Sequence, residues 1–376
     1  MLSRLETGYF PAGVSDISVA VAEFDSNVEV MYEMREVGLG YVGVGLMGEG
    51  HIYFSRQLPY VKPVAVADTD LGRAKEVAAK YAIPNVYSDY HRLMENEDVE
   101  AVVIATPEDV HRGPAVAAAE SGKHMLLEKP MAHTLQDANA IADACRKSGI
   151  KTMIGYVYRF FPQMSAVKGF VDEGLLGEPV TAAARIDGDI SEGMRLKGRT
   201  TVQLYVGVHV IDLLLWYLQD NVISVYAEAA DGELMREFGV HDSLCMLLRF
   251  RSGTVAYVQC GWGAPTNWAG WKKPSAWSSY YGNITPHNIQ LVGTKGIAEV
   301  SLPPEGVYAA DQESVGVKLP SLVAPLAYRL QIEYFLQCLR EDKTPSAGCE
   351  EGYRSLEVAL AATKSCAERR PIGLPL

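Results

Sequence analysis

The sequence predicts two α/β units: a doubly wound parallel sheet near the N-terminus, then a domain in which strands outnumber helices. Three observations lead there. A glycine-rich stretch at residues 36–51, "EVGLGYVGVGLMGEGH", runs from a buried strand through a tight turn into a helix. Strand and helix patterns then alternate as far as residue 155. Beyond it the alternation gives way to strand-rich segments. Parallel strands need helical crossovers, so regular alternation reads as a doubly wound sheet.

The 376-residue chain is long enough for two full cores. Its composition, 48% hydrophobic and 21% charged, is that of an ordinary soluble globular protein. No apolar run reaches the roughly 18 residues needed to span a bilayer, and "MLSRLETGYFPAGVSD" lacks the apolar stretch of a secretory signal. A net charge of −12 argues against nucleic acid or an anionic membrane as the main partner. Six cysteines at 145, 245, 260, 338, 349 and 366 show no C-x-x-C pair. Neither a disulfide framework nor a metal site is expected, and the cytoplasm is the expected compartment.

The glycine stretch allows two registers of G-x-G-x-x-G. In the earlier one, through Gly38, Gly40 and Gly43, the strand would be the charged "EVMYEMRE" and the helix would carry four glycines. Each interior glycine costs about 1 kcal/mol of helix relative to alanine. In the later one, "LGYVGV" is the strand, Gly43-Val44-Gly45 the turn, and a helix runs from Leu46 until Pro59 stops it. The next strand, "PVAVAD", ends at Asp68, 20 residues beyond Gly48. The later register is therefore the reading, and it describes a Rossmann dinucleotide-binding turn. Gly43 permits the turn, Gly45 lets the backbone approach a pyrophosphate, and Gly48 lets helix and strand pack. The helix N-terminus, with the N–H groups of Leu46 and Met47, faces the phosphates. Asp68 would hold both ribose hydroxyls and repel a 2′-phosphate. Because "DTD" at 68–70 offers no arginine beside the acid and Arg73 is a turn away, NAD is expected over NADP.

The alternation continues. "AKEVAAKYAI" and "SDYHRLMENED" read as helices, "VEAVVIAT" as a buried strand, and "EDVHRGPAVAAAESG" as a helix ending at Gly122. "KHMLLEKP" and "IKTMIGY" are the next strands, with "TLQDANAIADACRKSG" a helix between them. Ligands bind beyond the carboxyl ends of such strands, where "ATPEDVH" (105–111) and "LLEKPMA" (126–132) fall. A lysine there can meet both a nicotinamide ribose and a substrate hydroxyl.

These motifs carry a resemblance. G-x-G-x-x-G-x-x-H (43–51), Asp68, "ATPEDVH", "GKHMLLEKPMA", "YRFFP" (158–162) and "GVHVID" (207–212) occur in the order seen in the glucose-fructose oxidoreductase / inositol dehydrogenase / MocA family. The chain is similar to that family over roughly residues 37–370. The resemblance implies a Rossmann domain followed by an α/β domain with a large open, mostly antiparallel sheet. It also implies NAD(P)-dependent oxidation or reduction at a sugar or polyol carbon. Lys129 of the E-K-P would be catalytic, and Glu128, Thr106 and Pro107 would line the nicotinamide pocket, with His111 counted in the cofactor-binding set. The domains are then a 1–36 extension, a 37–155 Rossmann domain and a 156–376 substrate-binding and oligomerisation domain. The last helix would return to the Rossmann domain.

In the second part, "SAVKGFVDEGLLG" reads as a helix and "PVTAAARIDGDI" as a strand. "TTVQLYVGVHVIDLLLWYLQ" reads as one long buried helix. "VISVYAEA", "SLCMLLRFRSGTVAYVQCGW" and "HNIQLVGTKGIAEVSL" are strands, with a turn at Ser252-Gly253. On the long helix Tyr205, His209 and Asp212 fall at i, i+4 and i+7, on one face. His209 could take a hydroxyl proton, and Asp212 could orient it or bind another hydroxyl. Arg159 and Arg185 could meet a substrate anion or simply pair with an acid.

One departure stands out. Related sugar dehydrogenases carry G-G-G-x-L-x-D-x-G-x-H, whereas this chain reads "RTTVQLYVGVH". Tyr205 takes the Asp position, and Arg199, Thr200 and Thr201 replace the glycines. The loss of that carboxylate leaves three readings open. They are an NAD-dependent oxidoreductase on a secondary alcohol of a sugar, polyol or glycoside; a non-catalytic NAD-binding sensor; and an enzyme using tightly held NAD for transient oxidation. Four of five tryptophans lie in residues 261–282, as a sugar-stacking rim or a subunit interface. A dimer or tetramer is expected. Two amphipathic helices, "LAYRLQIEYFLQCLRED" and "CEEGYRSLEVALAATKSCAE", close the chain. "DISVAVAEF" and "NVEVMYEM" could form a hairpin around Asp25-Ser26.

Overall fold

Six short strands with apolar faces on both sides build the first sheet, and the glycines inside its first strand explain the double motif. The computed structural model describes residues 35–264, 287–302, 306–311 and 324–376. The hairpin around Asp25-Ser26 and the tryptophan-rich stretch beyond Ala264 lie outside them. Strand β1 is Val37–Val42, buried along its whole length. A Cβ at Gly38 would stand 1.9 Å from the Asp98 carbonyl oxygen, and one at Gly40 2.7 Å from Leu93 Cδ2. The earlier glycines thus serve strand packing, and the turn follows at Gly43.

Helix α1 (Leu46–Ser55), β2 (Val61–Ala67), α2 (Leu71–Tyr81), β3 (Asn85–Tyr87) and α3 (Tyr90–Met94) come next. They are followed by β4 (Ala101–Ile104), a 3₁₀ turn at Glu108–Val110, α4 (Arg112–Glu120), β5 (His124–Leu127), α5 (Leu135–Ser148) and β6 (Thr152–Ile154). The strand order is β3-β2-β1-β4-β5-β6, all parallel. This is the Rossmann order, with the switch point between β1 and β4. The helix expected over residues 108–122 is split, because Pro114 lacks the N–H that a continuous helix would need.

Beyond a 3₁₀ turn at Val157–Phe160 come α6 (Pro162–Asp172), β7 (Pro179–Asp189) and α7 (Ile190–Leu196). A π-type turn at Gln203–Gly207 leads directly into α8 (Val208–Leu218). Then follow β8 (Val222–Ala230), α9 (Glu233–Phe238), β9 (Ser243–Phe250), β10 (Val255–Ala264), β11 (His287–Gly293), β12 (Gly296–Leu302) and β13 (Gly306–Asp311). Helices α10 (Ala324–Arg340) and α11 (Cys349–Glu368) and the short β14 (Ile372–Gly373) end the chain. The second sheet runs β13-β12-β11-β7-β10-β9-β8-β14, antiparallel except at β7–β10.

Helices α6, α8 and α11 cover one face of this sheet. Along β9, buried and exposed residues alternate, as a one-sided sheet requires. Helix α11 packs on α5 and β6 as well as on α8 and β8, so the chain end bridges both sheets. Helix α10 lies on α1. Among the described residues no helix is long and apolar enough to cross a membrane.

Candidate active site

The carboxyl edge of the first sheet opens into a cleft of about 520 Å³, roofed by the second domain. At its near end the three glycines meet three different demands. Gly43 has φ of +80°, and a Cβ there would meet the backbone of Ala105 and Thr106 at 2.8–2.9 Å. A Cβ on Gly48 would stand 1.9 Å from the Gly43 carbonyl oxygen, so Gly48 packs the helix and is not part of the cleft lining. Gly45 is opposite in kind: it N-caps α1, lines the cleft, and an added Cβ would meet nothing within 4 Å. That open backbone beside a helix N-terminus is the cradle a pyrophosphate needs. Leu46 and Met47 line it too.

Gly45→Ala is therefore expected to fold normally yet weaken NADH binding by about tenfold or more, as a methyl enters the phosphate space. Fluorescence titration with a parallel thermal melt checks both halves. Unchanged affinity would move the phosphate site elsewhere.

Asp68 follows β2 and lines the cleft, with Oδ2 accepting from the Val44 N–H at 2.8 Å and Oδ1 from the Asp70 N–H at 2.9 Å. Its carboxylate thus braces the turn from the ribose side. Thr106 and Pro107 follow β4, and the Thr106 hydroxyl is buried without a hydrogen-bond partner among the described residues. An orphaned hydroxyl at this place fits an amide-bearing ring.

Glu128 and Lys129 follow β5. His51, fully buried in α1, sits with Nε2 2.7 Å from Glu128 Oε1, and Glu128 Oε2 accepts from the Lys129 N–H at 3.1 Å. Burial pushes the Glu128 carboxyl up, but the His51 hydrogen bond and the charges of His51 and Lys129 outweigh it, leaving Glu128 below the usual carboxylate range. Lys129 Nζ donates to the Tyr205 carbonyl at 2.8 Å and lies 4.1 Å from the centre of the Tyr205 ring. Loss of water lowers its affinity for a proton below the ordinary 10.5, opposed by Glu128, Glu108 and Glu192.

The far wall comes from the second domain. His209 lines it at the start of α8, its ring 4.4 Å from that of Tyr158. Tyr205 lies in the π-type turn one step earlier, its ring against Trp262. The Tyr205 hydroxyl stands 3.5 Å from Glu192 Oε2 and 3.4 Å from an Arg195 guanidinium nitrogen, and Arg195 holds Glu192 at 2.7 Å. Glu108 is buried at the head of its 3₁₀ turn. Burial raises its carboxyl, but the neighbouring Thr200 hydroxyl and the charges of Arg199 and Lys129 more than offset that. With a tyrosine at position 205, the carboxylates that act on Lys129 besides that of Glu128 are those of Glu108 and Glu192.

Three expectations are corrected. Asp212 does not share the cleft face with Tyr205 and His209. Asp212 is buried, and its carboxylate is turned to Arg159, which grips it at 2.7 and 2.8 Å. Arg159 is correspondingly consumed: its remaining nitrogen donates to the Ser346 carbonyl at 2.6 Å, so it offers no charge to a substrate. His111 is buried outside the cleft lining, its ring nitrogens 2.9 Å and 3.0 Å from the Thr106 and Pro130 carbonyl oxygens. It ties the two cofactor-side loops together. Arg185 pairs with Asp187 at 2.6 Å. Sequence reasoning assigned no role to His51, Glu108, Tyr158, Glu192 or Arg195. His51 had a signal, since it ends the glycine motif and a buried acid such as Glu128 needs a partner.

Fold and cleft together define a two-domain oxidoreductase that uses a nicotinamide dinucleotide. A family profile described as "Oxidoreductase family, NAD-binding Rossmann fold" matches residues 37–156, and one described as "GFO/IDH/MocA C-terminal domain" matches 164–299. The chain belongs to the Gfo/Idh/MocA oxidoreductase family, and its cofactor is NAD. It is 25% identical, over 90% of its length and 97% of the other, to scyllo-inositol 2-dehydrogenase (NAD(+)) of Bacillus subtilis strain 168. Among solved structures, an oxidoreductase domain protein from Kribbella flavida superposes with a TM-score of 0.79 at 22% identity, covering 91% of this chain and 100% of that one. Levoglucosan dehydrogenase in complex with NADH and L-sorbose gives 0.79 at 20% identity, covering 91% of this chain and 100% of that one.

Proposed function

We propose that this protein is an NAD-dependent dehydrogenase of a secondary alcohol in a sugar, polyol or glycoside, with Lys129 and His209 handling the proton. The observation that carries this reading is the anchoring of Lys129 Nζ on the Tyr205 carbonyl, four residues before His209, in the same cleft as the open Gly45 turn. The relatives named above act on an inositol and on levoglucosan, so cyclic polyols and anhydrosugars are the first class to assay.

Gly43, Gly45, the α1 N-terminus and Asp68 would hold the dinucleotide, with Thr106, Pro107 and Glu128 around its nicotinamide. Bound there, NAD supplies the two-electron acceptor for the carbinol carbon. The protein's own part is proton transfer and exclusion of water. A neutral Lys129 Nζ accepts the hydroxyl proton during oxidation, and the ammonium returns it to the ketone oxygen in reverse. His209, held against Tyr158, offers a second site for that proton. Glu128, Glu108 and Glu192 keep the ammonium from becoming too acidic.

Tyr205 is a working residue in this account. Tyr205→Asp removes the ring beneath Lys129 and adds a carboxylate that raises its proton affinity. The expected result is a drop of about tenfold in kcat/KM near neutral pH, with the rising limb of the oxidation profile moved to higher pH. Increased activity at neutral pH would contradict it.

A cytoplasmic homo-oligomer, a dimer or tetramer, is part of the proposal. All six cysteines are free thiols, as a reducing compartment favours. Among the described residues, the second sheet exposes Val180, Leu247, Tyr257 and Ile297, an apolar set suited to a second copy. Light scattering on the purified protein should give a multiple of the 41.1 kDa chain, and a monomer mass would remove this part.

Turnover tests the activity. One NADH should form per ketone produced. Full conversion with NAD far below stoichiometry would indicate transient oxidation instead.

A further inference from the structure

Beneath the dinucleotide turn lies a charge cluster that the proton chemistry does not use. Val44, between Gly43 and Gly45, is held at both ends of its backbone. Its N–H donates to Asp68 Oδ2 at 2.8 Å, and its carbonyl accepts from Arg73 Nε at 3.1 Å. The rest of the Arg73 guanidinium is taken by Glu49 and, at 3.2 Å, by Glu76. Glu49, in the first turn of α1, is buried and also accepts from Lys80 Nζ at 2.7 Å and from the Tyr81 hydroxyl at 3.0 Å.

An acid in the first turn of a phosphate-facing helix would repel a pyrophosphate unless neutralised, and Arg73 with Lys80 does that. The arrangement has a second consequence. Arg73 lies in the first turn of α2, five residues beyond Asp68, where a cation would meet a phosphate on the ribose 2′-oxygen. Arginine is the side chain best shaped for that group. Here each arm of the guanidinium points instead to Val44, Glu49 or Glu76.

We infer that Glu49 is a positioning residue for cofactor choice: it holds Arg73 beneath the turn and so denies a 2′-phosphate its counter-charge, reinforcing Asp68 in favouring NAD over NADP. The inference rests on the cleft being the dinucleotide site, and its test keeps the two separable.

The test is a fluorescence titration of the full-length protein with NADH and NADPH, for the wild type, Glu49→Gln, Arg73→Gln and the double variant. Glutamine keeps the size and an acceptor oxygen at position 49 but releases the charge. NADPH affinity relative to NADH should rise by about tenfold in Glu49→Gln, and this gain should vanish in the double variant. Arg73→Gln alone should weaken both nucleotides together, since it removes the strut on the Val44 carbonyl, leaving their ratio within about twofold. An unchanged ratio in Glu49→Gln, or a selective loss of NADPH binding in Arg73→Gln, would overturn the inference. Thermal melts confirm that each variant folds. Should Glu49→Gln not fold, Glu49→Asp, too short to hold both cations, is expected to shift the ratio the same way. Failure of the wild type to bind NADH would count against the dinucleotide site itself.

Discussion

Lys129→Met is expected to lower kcat/KM by about 100-fold or more while NADH binding persists. Methionine keeps the length and apolar stem of lysine but can neither take nor give a proton. The end of the side chain lies over the Tyr205 ring and against its carbonyl, so the substitution leaves the packing largely in place. The loss should therefore fall on kcat rather than on cofactor affinity. The pH profile sharpens the test. Oxidation needs the neutral amine, so its rate should rise with pH through an ionisation below the ordinary 10.5 of lysine, because removal from water lowers it. Reduction needs the ammonium and should fall through the same ionisation. Both limbs should disappear in Lys129→Met. A near-normal kcat/KM with the limb intact would assign the proton to His209 alone.

The second large effect is on stability. Arg159→Met should cost about 3–5 kcal/mol, because it leaves the Asp212 carboxylate buried and unpaired. Arg159 is 3% exposed and Asp212 1%, and three of the hydrogen bonds described above end on that guanidinium. The pair joins the turn after β6, helix α8 and the segment leading into α11, so its loss loosens both domains. Burial already raises the Asp212 carboxyl even with Arg159 beside it, and removing the arginine raises it further. A folded-state pKa above the unfolded value means that the folded protein holds an extra proton, so stability falls as pH rises. The penalty in Arg159→Met should therefore shrink as pH is lowered toward about 4. Replacing both partners, as in Arg159→Met with Asp212→Leu, should cost less than the single change. Urea unfolding across pH checks the slope and the coupling. A penalty under about 1 kcal/mol would mean that the pair is no more than a surface bridge.

The dinucleotide end of the cleft was legible because its chemistry is local. A turn that must approach a phosphate selects glycines at fixed spacing, and the ribose acid ends the next strand. The same logic resolves the surplus glycines, since Gly38 and Gly40 answer to Asp98 and Leu93 across the strand. The far wall was harder to read. "TTVQLYVGVHVIDLLLWYLQ" has the apolar period of one helix, and no residue in it announces the π-type turn. That turn sits where Gln203 reaches Thr363 of α11 at 2.6 Å and where a Cβ on Gly207 would press on Cys260 at 3.1 Å. Both partners are distant in sequence. Periodicity alone also cannot say that the Asp212 carboxylate turns to Arg159 and away from the cleft. Arg159 and Asp212 stand 53 residues apart, each within a different motif, and spacing cannot say that they choose each other. Helix α7 is too short to show a period, so Glu192 and Arg195 carried no signal.

The fate of the carbinol hydrogen decides whether the protein passes a hydride to NAD. A polyol or sugar found to turn over with NAD would be prepared with deuterium on the carbinol carbon, and the reduced cofactor analysed by mass spectrometry. One deuterium is expected in NADH for each ketone formed, at a rate cut about 100-fold in Lys129→Met. NADH without deuterium, or no NADH from a folded protein that binds the cofactor, would contradict it.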